Sequence, residues 1–531
     1  MAKLTDLPAE LVHRIIRHIL RPNANLQTYE WDCVLVDPDD HHLLDHNEIG
    51  AVQRKLRPHH ELEHRAHTLP TLRTHQRNHR TTLASQPKVS WPQGLPSNPL
   101  LPLSLVNRTF QTYAQEILFK NVSLLSIRQA SLFLPALTRP HPSVDQRNTH
   151  EDGDAEEVRS SAIDPYPYLS RLARHVRTLQ LRCISPYSMH NALQGGGPVL
   201  RDIIWSCPYL ENITINTMLP IECTEALLDA LASQRLIKEF VIISNGRRGS
   251  TLLRWNIHDL LGRVFPQWDF LETIELDELE GRSEIAKKQI HTVPKPKLTC
   301  ALRTMILRGP EVDEDELSML VNSFRGSMRT LEITGPVYTI GRAGICRILK
   351  ECTNPELECL KLDWPHNEYP ILSPRDGIES DDPVTSPGLL DIVFKSPSAL
   401  RKLKSLTFTG NLATPKLFER LPDSIVKLAW QNCDLCPTAL VEVLSSRRKE
   451  KKLLPNLKCC SVRSRDGWDM DEELVRSALK ARGICFHMDL DSDYGDPMSE
   501  DERREAAEEM DPHLLNQFDE NEYEDLDFDY Y

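Results

Sequence analysis

Between residues 168 and 490, apolar residues recur in one short pattern, L-x-x-L-x-L, with mostly polar residues in the gaps. The occurrences are Val176-x-x-Leu179-x-Leu181, Leu210-x-x-Ile213-x-Ile215, Ile237-x-x-Phe240-x-Ile242, Leu271-x-x-Ile274-x-Leu276 and Leu302-x-x-Met305-x-Leu307. They continue as Met328-x-x-Leu331-x-Ile333, Leu357-x-x-Leu360-x-Leu362, Leu403-x-x-Leu406-x-Phe408, Ile425-x-x-Leu428-x-Trp430 and Leu457-x-x-Cys460-x-Val462. Successive starts lie 34, 27, 34, 31, 26, 29, 46, 22 and 32 residues apart. The alternation predicts a short strand with one buried face. The segments between show helical spacing instead, as in Leu317/Leu320/Val321/Phe324, Ile345/Ile348/Leu349/Cys352 and Leu440/Val441/Leu444. A helix–strand unit of this size cannot enclose a core, so it must stack on its neighbours. Ile484-Cys485-Phe486-His487-Met488 reads as one further strand.

This series resembles the leucine-rich-repeat horseshoe. The resemblance implies parallel strands on one face and helices on the other. The family's turn residue, an Asn or Cys three places past the last strand position, stands here only as Asn411 and Cys433. Three repeats carry Pro310, Pro336 and Pro365 at the turn instead. An irregular solenoid is therefore expected. The longest interval contains Ser373-Pro374 through Ser386-Pro387 and predicts a projecting loop. Residues between the apolar strand positions should face a partner on the concave side: Gln180, Thr214, Glu275, Glu332, Lys361 and Thr407.

Ahead of the repeats, Leu11, Val12, Ile15, Ile16, Ile19 and Leu20 form a broad apolar stripe after Pro8, which suits a first helical position. A helix over 8–20 is predicted. Residues 21–98 hold nine of the twenty His, with sparse apolar residues of no sustained period, and read as a disordered insert. Helical periodicity returns over 99–120 at Leu103, Val106, Phe110, Ala114, Ile117 and Leu118. Val122-Ser123-Leu124-Leu125 can open a strand, and 123–167 reads as a linker region before the solenoid of 168–490.

Read together, the two N-terminal stretches, 1–20 and 99–122, resemble an F-box interrupted in its first loop. The matching residues are Leu7-Pro8, Glu10-Leu11 and Ile15-Ile16, then Leu103-Ser104-Leu105-Val106, Arg108, Phe110, Ala114 and Leu118-Phe119. Asn107 stands where Cys is frequent. The fold implied is α/β: a short N-terminal three-helix F-box followed by an irregular leucine-rich-repeat solenoid. The resemblance further implies docking to the Skp adaptor of a cullin–RING ubiquitin ligase, with the repeats holding a substrate protein. It places adaptor contacts on Leu7, Pro8, Leu11, Ile15, Ile16, Leu103, Leu105, Val106 and Phe110, some of which must instead hold the helices together. The alternative is a leucine-rich-repeat scaffold whose F-box-like helices only cap the solenoid. A disordered insert adds little closure entropy, about 0.6 kcal/mol per doubling of loop length.

Charge sharpens the division. Residues 489–531 carry 18 Asp/Glu and 2 Arg, while the rest of the chain holds 61 Lys/Arg against 59 Asp/Glu. The body is near neutral, which argues against nucleic acid as a partner. The tail over 491–531 reads as acidic, aromatic-bearing and disordered. No run of eighteen apolar residues occurs, so no membrane partner is expected. Asp6 and Glu10 interrupt any leader-like apolar stretch, which implies a cytoplasmic or nuclear location. The thirteen cysteines sit mostly among apolar neighbours, as buried reduced thiols do.

Motifs that could carry chemistry fail on context. His60-Glu61-Leu62-Glu63-His64 matches H-E-x-x-H, but His67 stands where the extended zinc motif needs Gly. A solvated polar segment is the reading, with adventitious metal binding and a zincin as alternatives. Asp489-x-Asp491-x-Asp493 with Glu500 has EF-hand spacing, yet Tyr494 occupies the place of the obligatory Gly. Gly195-Gly196-Gly197 lacks the Lys of a P-loop. The single CxxC, Cys433 to Cys436, has no second pair at zinc spacing. Arg447-Arg448-Lys449-Glu450-Lys451-Lys452 reads as a solvated loop, with a nuclear import signal as alternative. No catalytic residue, metal site or cofactor is expected, and the chain is read as a binding protein rather than an enzyme.

Overall fold

The computed structural model describes residues 8–20, 103–124, 126–138, 169–181, 196–216, 219–243, 253–282, 298–335, 340–364, 382, 388–396, 399–433, 435–445, 453–464 and 470–490. The insert 21–98, the loop 365–381, the basic run 447–452 and the tail 491–531, for which the sequence carried expectations, lie outside them. So do the H-E-x-x-H stretch, Leu7 and most of the EF-hand-like spacing.

Twelve strands form one parallel sheet in strict sequence order. They are β1 (Asn121–Leu124), β2 (Thr178–Leu181), β3 (Asn212–Asn216), β4 (Glu239–Ile243), β5 (Thr273–Asp277) and β6 (Thr304–Arg308). β7 (Thr330–Thr334), β8 (Cys359–Asp363), β9 (Ser405–Thr409), β10 (Lys427–Gln431), β11 (Cys459–Ser464) and β12 (Cys485–Leu490) complete it. The register is set by the repeat. Leu179 pairs with Ile213, Ile213 with Phe240, Phe240 with Ile274, and so on to Cys460 with Phe486. All thirty apolar positions of the ten predicted strands are at most 5% exposed. A one-residue slip would turn each strand's core set outward, so burial locks the register. The architecture is a leucine-rich-repeat solenoid.

Helices precede the strands on the other side. α1 (Ala9–Leu20) and α2 (Arg108–Lys120) stand before β1, and α3 (Ile127–Thr138) before β2. α4 (Gly197–Trp205), α5 (Thr224–Ser233), α6 (Glu314–Ser323), α7 (Arg342–Arg347), α8 (Leu389–Lys395), α9 (Leu417–Arg420), α10 (Pro437–Ser445) and α11 (Met470–Ala481) follow in later repeats. Before β5 the helix over Ile257–Gln267 is irregular, changing from α to π to 3-10 winding. There Phe240 packs edge-on against Trp255 and Trp268 at 5.7 and 5.2 Å, and Trp268 donates its indole N–H to the Leu231 carbonyl at 3.1 Å. These large rings pack this repeat's helical stretch against β4.

The missing Asn ladder is replaced by backbone. Two residues past the last apolar strand position, Glu278, Gly309, Gly335, Gly410 and Asn432 all take a positive φ. Their amides donate to carbonyls of the next repeat: Glu278 to Arg308 at 2.8 Å, Gly309 to Thr334 at 2.7 Å and Gly335 to Asp363 at 3.0 Å. Gly410 to Gln431 and Asn432 to Arg463 follow the same rule. Glycine suits the left-handed position because it has no Cβ to clash. The turn is thus specified by conformation rather than by a side-chain ladder.

Side chains stitch other levels together. Glu316, 6% exposed, accepts from the Arg282 amide at 2.7 Å and the Asp313 amide at 3.0 Å, and meets His258 Nε2 at 3.1 Å. With Asp313 it closes a capping box on α6. Asn354 donates to the Gly326 and Met328 carbonyls, and Gln234 to the Ile204 carbonyl. Asp391 in α8 accepts from the amide and hydroxyl of Thr414.

Two expectations change. The linker expected over 123–167 begins instead inside the solenoid. Val122 and Leu124 pair with Leu179 and Leu181, and Ile127, Ala130 and Leu137 join the main core. Phe119-x-x-Val122-x-Leu124 therefore falls at the strand positions of the repeat, ahead of the ten recognised by pattern. The three F-box helices expected are not all seen among the described residues. Leu103-Ser104 make a single turn, and Asn107 then caps α2 by accepting from the Phe110 amide at 2.9 Å.

Leu331→Ala, at the middle of the ladder, is expected to cost roughly 2–5 kcal/mol, read as a lower urea midpoint. Burial holds the Asp391 carboxyl above the usual carboxylate range, against the bonds from Thr414. The folded chain thus binds this proton more tightly than the unfolded chain. The contribution of Asp391 to stability is full at acid pH and falls as pH rises through the interval up to its folded value. Urea midpoints of wild type minus Asp391→Asn should therefore decline from about pH 4 upward, and a flat difference would refute this.

Candidate functional sites on the N-terminal helices and the strand face

Two surfaces meet the requirements of a binding site. The first is built on α1 and α2. Val12, Ile16, Phe110 and Ala114 form a small closed core, with Leu103, Tyr113, Ile117 and Leu118 packed around it. His13 stands edge-on to Tyr113 at 4.2 Å and lies 3.9 Å from Glu116. α2 leads directly into β1, and its Phe119 stacks on Phe133 of α3 at 5.7 Å. The pair of helices is thereby anchored to the first repeats.

This core sorts the eight adaptor candidates among the described residues. Ile16 and Phe110 are buried within it and hold the helices together. Leu103 is half-buried at its edge. Pro8, Leu11, Ile15, Leu105 and Val106 are exposed, with Leu105 at 79%. Four large apolar side chains in two short stretches thus face outward from a helix pair that has already closed its own core. Isolated exposed leucines are ordinary, and these four are the candidates here for contact with another protein.

The second surface is the strand face. The six predicted residues Gln180, Thr214, Glu275, Glu332, Lys361 and Thr407 occupy the same position of their strands. Thr214, Glu275 and Lys361 each sit between the two core residues that define the register. Glu332 and Lys361 are directly paired across β7 and β8 and joined at 2.7 Å. Gln180 is buried, and the other five are half-buried. The surface is polar but internally satisfied in its middle.

Sequence reading missed the cation at that centre. Arg308 of β6 binds the Glu275 carboxylate and lies 3.1 Å from Asp277. Burial opposes its charge, yet Glu275 and Asp277 together hold the guanidinium protonated above its ordinary range. The signal lay in the register: Arg308 and Asp277 are in-register neighbours one place past the last apolar strand positions. Beside them, burial raises the Asp363 carboxyl. On the middle repeats the carboxylates of Glu275, Asp277 and Glu332 are thus paired with Arg308 and Lys361 across neighbouring strands.

The two CxxC cysteines have different surroundings. Cys433 lies 3.8 Å from the Ala413 carbonyl, while the exposed Cys436 contacts the Thr438 hydroxyl at 2.8 Å. That hydroxyl lowers the Cys436 thiol from its usual value. The eleven cysteines of the described residues are all free thiols, and burial pushes Cys207 up to about 12 and Cys300 up to about 11. Deep apolar sites of this kind make inert thiols. No helix of the described residues is long and apolar enough to cross a membrane.

No family model matches the chain, and no curated protein matches it. Thirty-two chains of solved structures do. One is the crystal structure of a TLR13–ssRNA13 complex, 15% identical with a TM-score of 0.30, the match covering 59% of this chain and 39% of that one. Another is the leucine-rich-repeat-containing protein LegL7 from Legionella pneumophila, 13% identical with a TM-score of 0.33, over 64% of this chain and 92% of that one. The present chain thus matches well under half the length of the TLR13 chain.

Proposed function

We propose that the chain is a substrate-recognition subunit of a Skp–cullin–F-box ubiquitin ligase. Its N-terminal helices dock the Skp adaptor, and its strand face binds the substrate protein. The observation that carries this reading is the outward set Leu11, Ile15, Leu105 and Val106 around a helix core that is already closed. The F-box-like residues supply the adaptor's identity by resemblance. The solenoid behind them supports the coarser part of the proposal, a protein-interaction scaffold. In this reading the chain contributes proximity and orientation and no covalent chemistry.

A second reading keeps the scaffold and drops the ligase: α1 and α2 only cap the solenoid. The unbroken run from α2 into β1 and the Phe119–Phe133 stack favour it. The two readings differ on what the exposed apolar residues do.

Co-expression of the full chain with the Skp adaptor separates them. Under the ligase reading the adaptor co-purifies, and Leu105→Asp or Val106→Asp lowers capture at least tenfold while the unfolding midpoint stays within about 0.5 kcal/mol of wild type, as for other surface changes. Ile16→Ala, by contrast, should destabilise the helix pair by roughly 2–5 kcal/mol. Full adaptor capture by both Asp variants, or none by the wild type, defeats the ligase reading and leaves the cap. On the strand face, Glu332→Lys should weaken substrate capture with adaptor binding intact.

A further inference from the structure

At the C-terminal end of the sheet, three soft metal-ligating side chains converge from two adjacent strands. Cys459 of β11 and Cys485 of β12 are paired in register, and Ser461 and His487 are the next such pair on the same face. Cys485 and His487, two residues apart on one strand, point to the same side as Cys459 because strand side chains alternate. The three ligand atoms all lie within 4.8 Å of one another. Ligands of a tetrahedral zinc ion at ~2.0–2.3 Å are themselves ~3.3–3.8 Å apart, so a small inward shift closes the cluster. Among the described residues this is the one group of three or more His, Cys, Asp or Glu so arranged.

We infer that Cys459, Cys485 and His487 form a zinc site on the strand face of the last two repeats. Two thiolates and an imidazole are a donor set suited to zinc and too soft for calcium or magnesium. The site offers three protein ligands. Cys459 is buried while Cys485 and His487 are half-buried, so the fourth position opens toward the surface. A water, or a side chain of a bound partner, completes it there. Lys427 stands in register with Cys459 on β10, and its charge favours the thiolate. A divalent cation between the two sulfurs takes the place of their protons and compensates both thiolate charges. The site is independent of the ligase reading, since it uses no residue of α1 or α2.

Sequence spacing conceals this site. Cys459 and Cys485 are a whole repeat apart, and only the strand register brings them together. The legible signal is a Cys-x-His at the strand positions of one repeat with a Cys at the matching position of the repeat before.

The full chain, reduced and stripped with a chelator, is titrated with zinc alone, and bound metal is counted by mass spectrometry. Cobalt substitution reports thiolate ligation through its charge-transfer absorption. One zinc per chain is expected in the wild type and in a His60→Ala/His64→Ala control. Cys459→Ser/Cys485→Ser and His487→Ala should each bind more than tenfold more weakly, and Cys485→Ser alone should weaken the cobalt–thiolate band. Circular dichroism is used to select the variants that retain the wild-type fold, and the half-buried positions Cys485 and His487 supply variants least disruptive to the core. Unchanged zinc in the folded Cys459→Ser/Cys485→Ser or His487→Ala variant overturns the site. So does loss of zinc in the His60→Ala/His64→Ala control alone, absence of zinc in the wild type, or a Cys459–Cys485 disulfide in the reduced preparation.

Discussion

The structure depends on a parallel backbone ladder held in one register across every repeat. No single helix–strand unit here can bury its own apolar face. Each one is closed by the strand before it and the strand after it, so the core is continuous from Leu124 to Ile484. Register is the shared constraint. It places the L-x-x-L-x-L side chains on the core side, carries the turn hydrogen bonds from Glu278 to Asn432, and lines up the intervening residues on the opposite face. The ion pairs of Arg308 and Lys361 and the Cys459–Cys485–His487 cluster all follow from it, because each joins residues of neighbouring strands.

The N-terminal helices obey a different rule. Their core of Val12, Ile16, Phe110 and Ala114 is separate from the solenoid core and is closed by helix packing. That closure makes the outward apolar residues informative. Leu105 and Val106 are not needed to hold the helices, and Leu11 and Ile15 stand on the solvent side of α1. Phe119, in contrast, belongs to the solenoid side and ties α2 to α3. One helix therefore serves both modules, and docking force at the N-terminus would be transmitted to the first repeats without an intervening hinge between α2 and β1.

Much of the solenoid was legible because period-two burial and period-3.6 helices alternate in the chain, and every pattern position was found in the core. The strand over 122–125 was expected, but not as the first member of the repeat series. Its Phe119-x-x-Val122-x-Leu124 overlaps a helix end, where a helical pattern is the stronger signal. The turn was read as irregular for want of an Asn ladder, whereas a positive φ carries no signature in a Glu such as Glu278. On the candidate sites, the sequence could not separate Ile16 and Phe110, which are buried, from Leu105, which is not. Both kinds are apolar at helical spacing, and only packing distinguishes them. Arg308 and the Cys–Cys–His cluster were hidden for the opposite reason: their partners are about a repeat away in sequence.

Hydrogen exchange of the full chain, alone and with purified Skp adaptor, addresses the central claim most directly. The account predicts slowed exchange confined to residues around 8–16 and 103–110, with the strand ladder of 121–490 unchanged. Slowed exchange that appears only in the strand ladder, or no change anywhere at saturating adaptor, would contradict it.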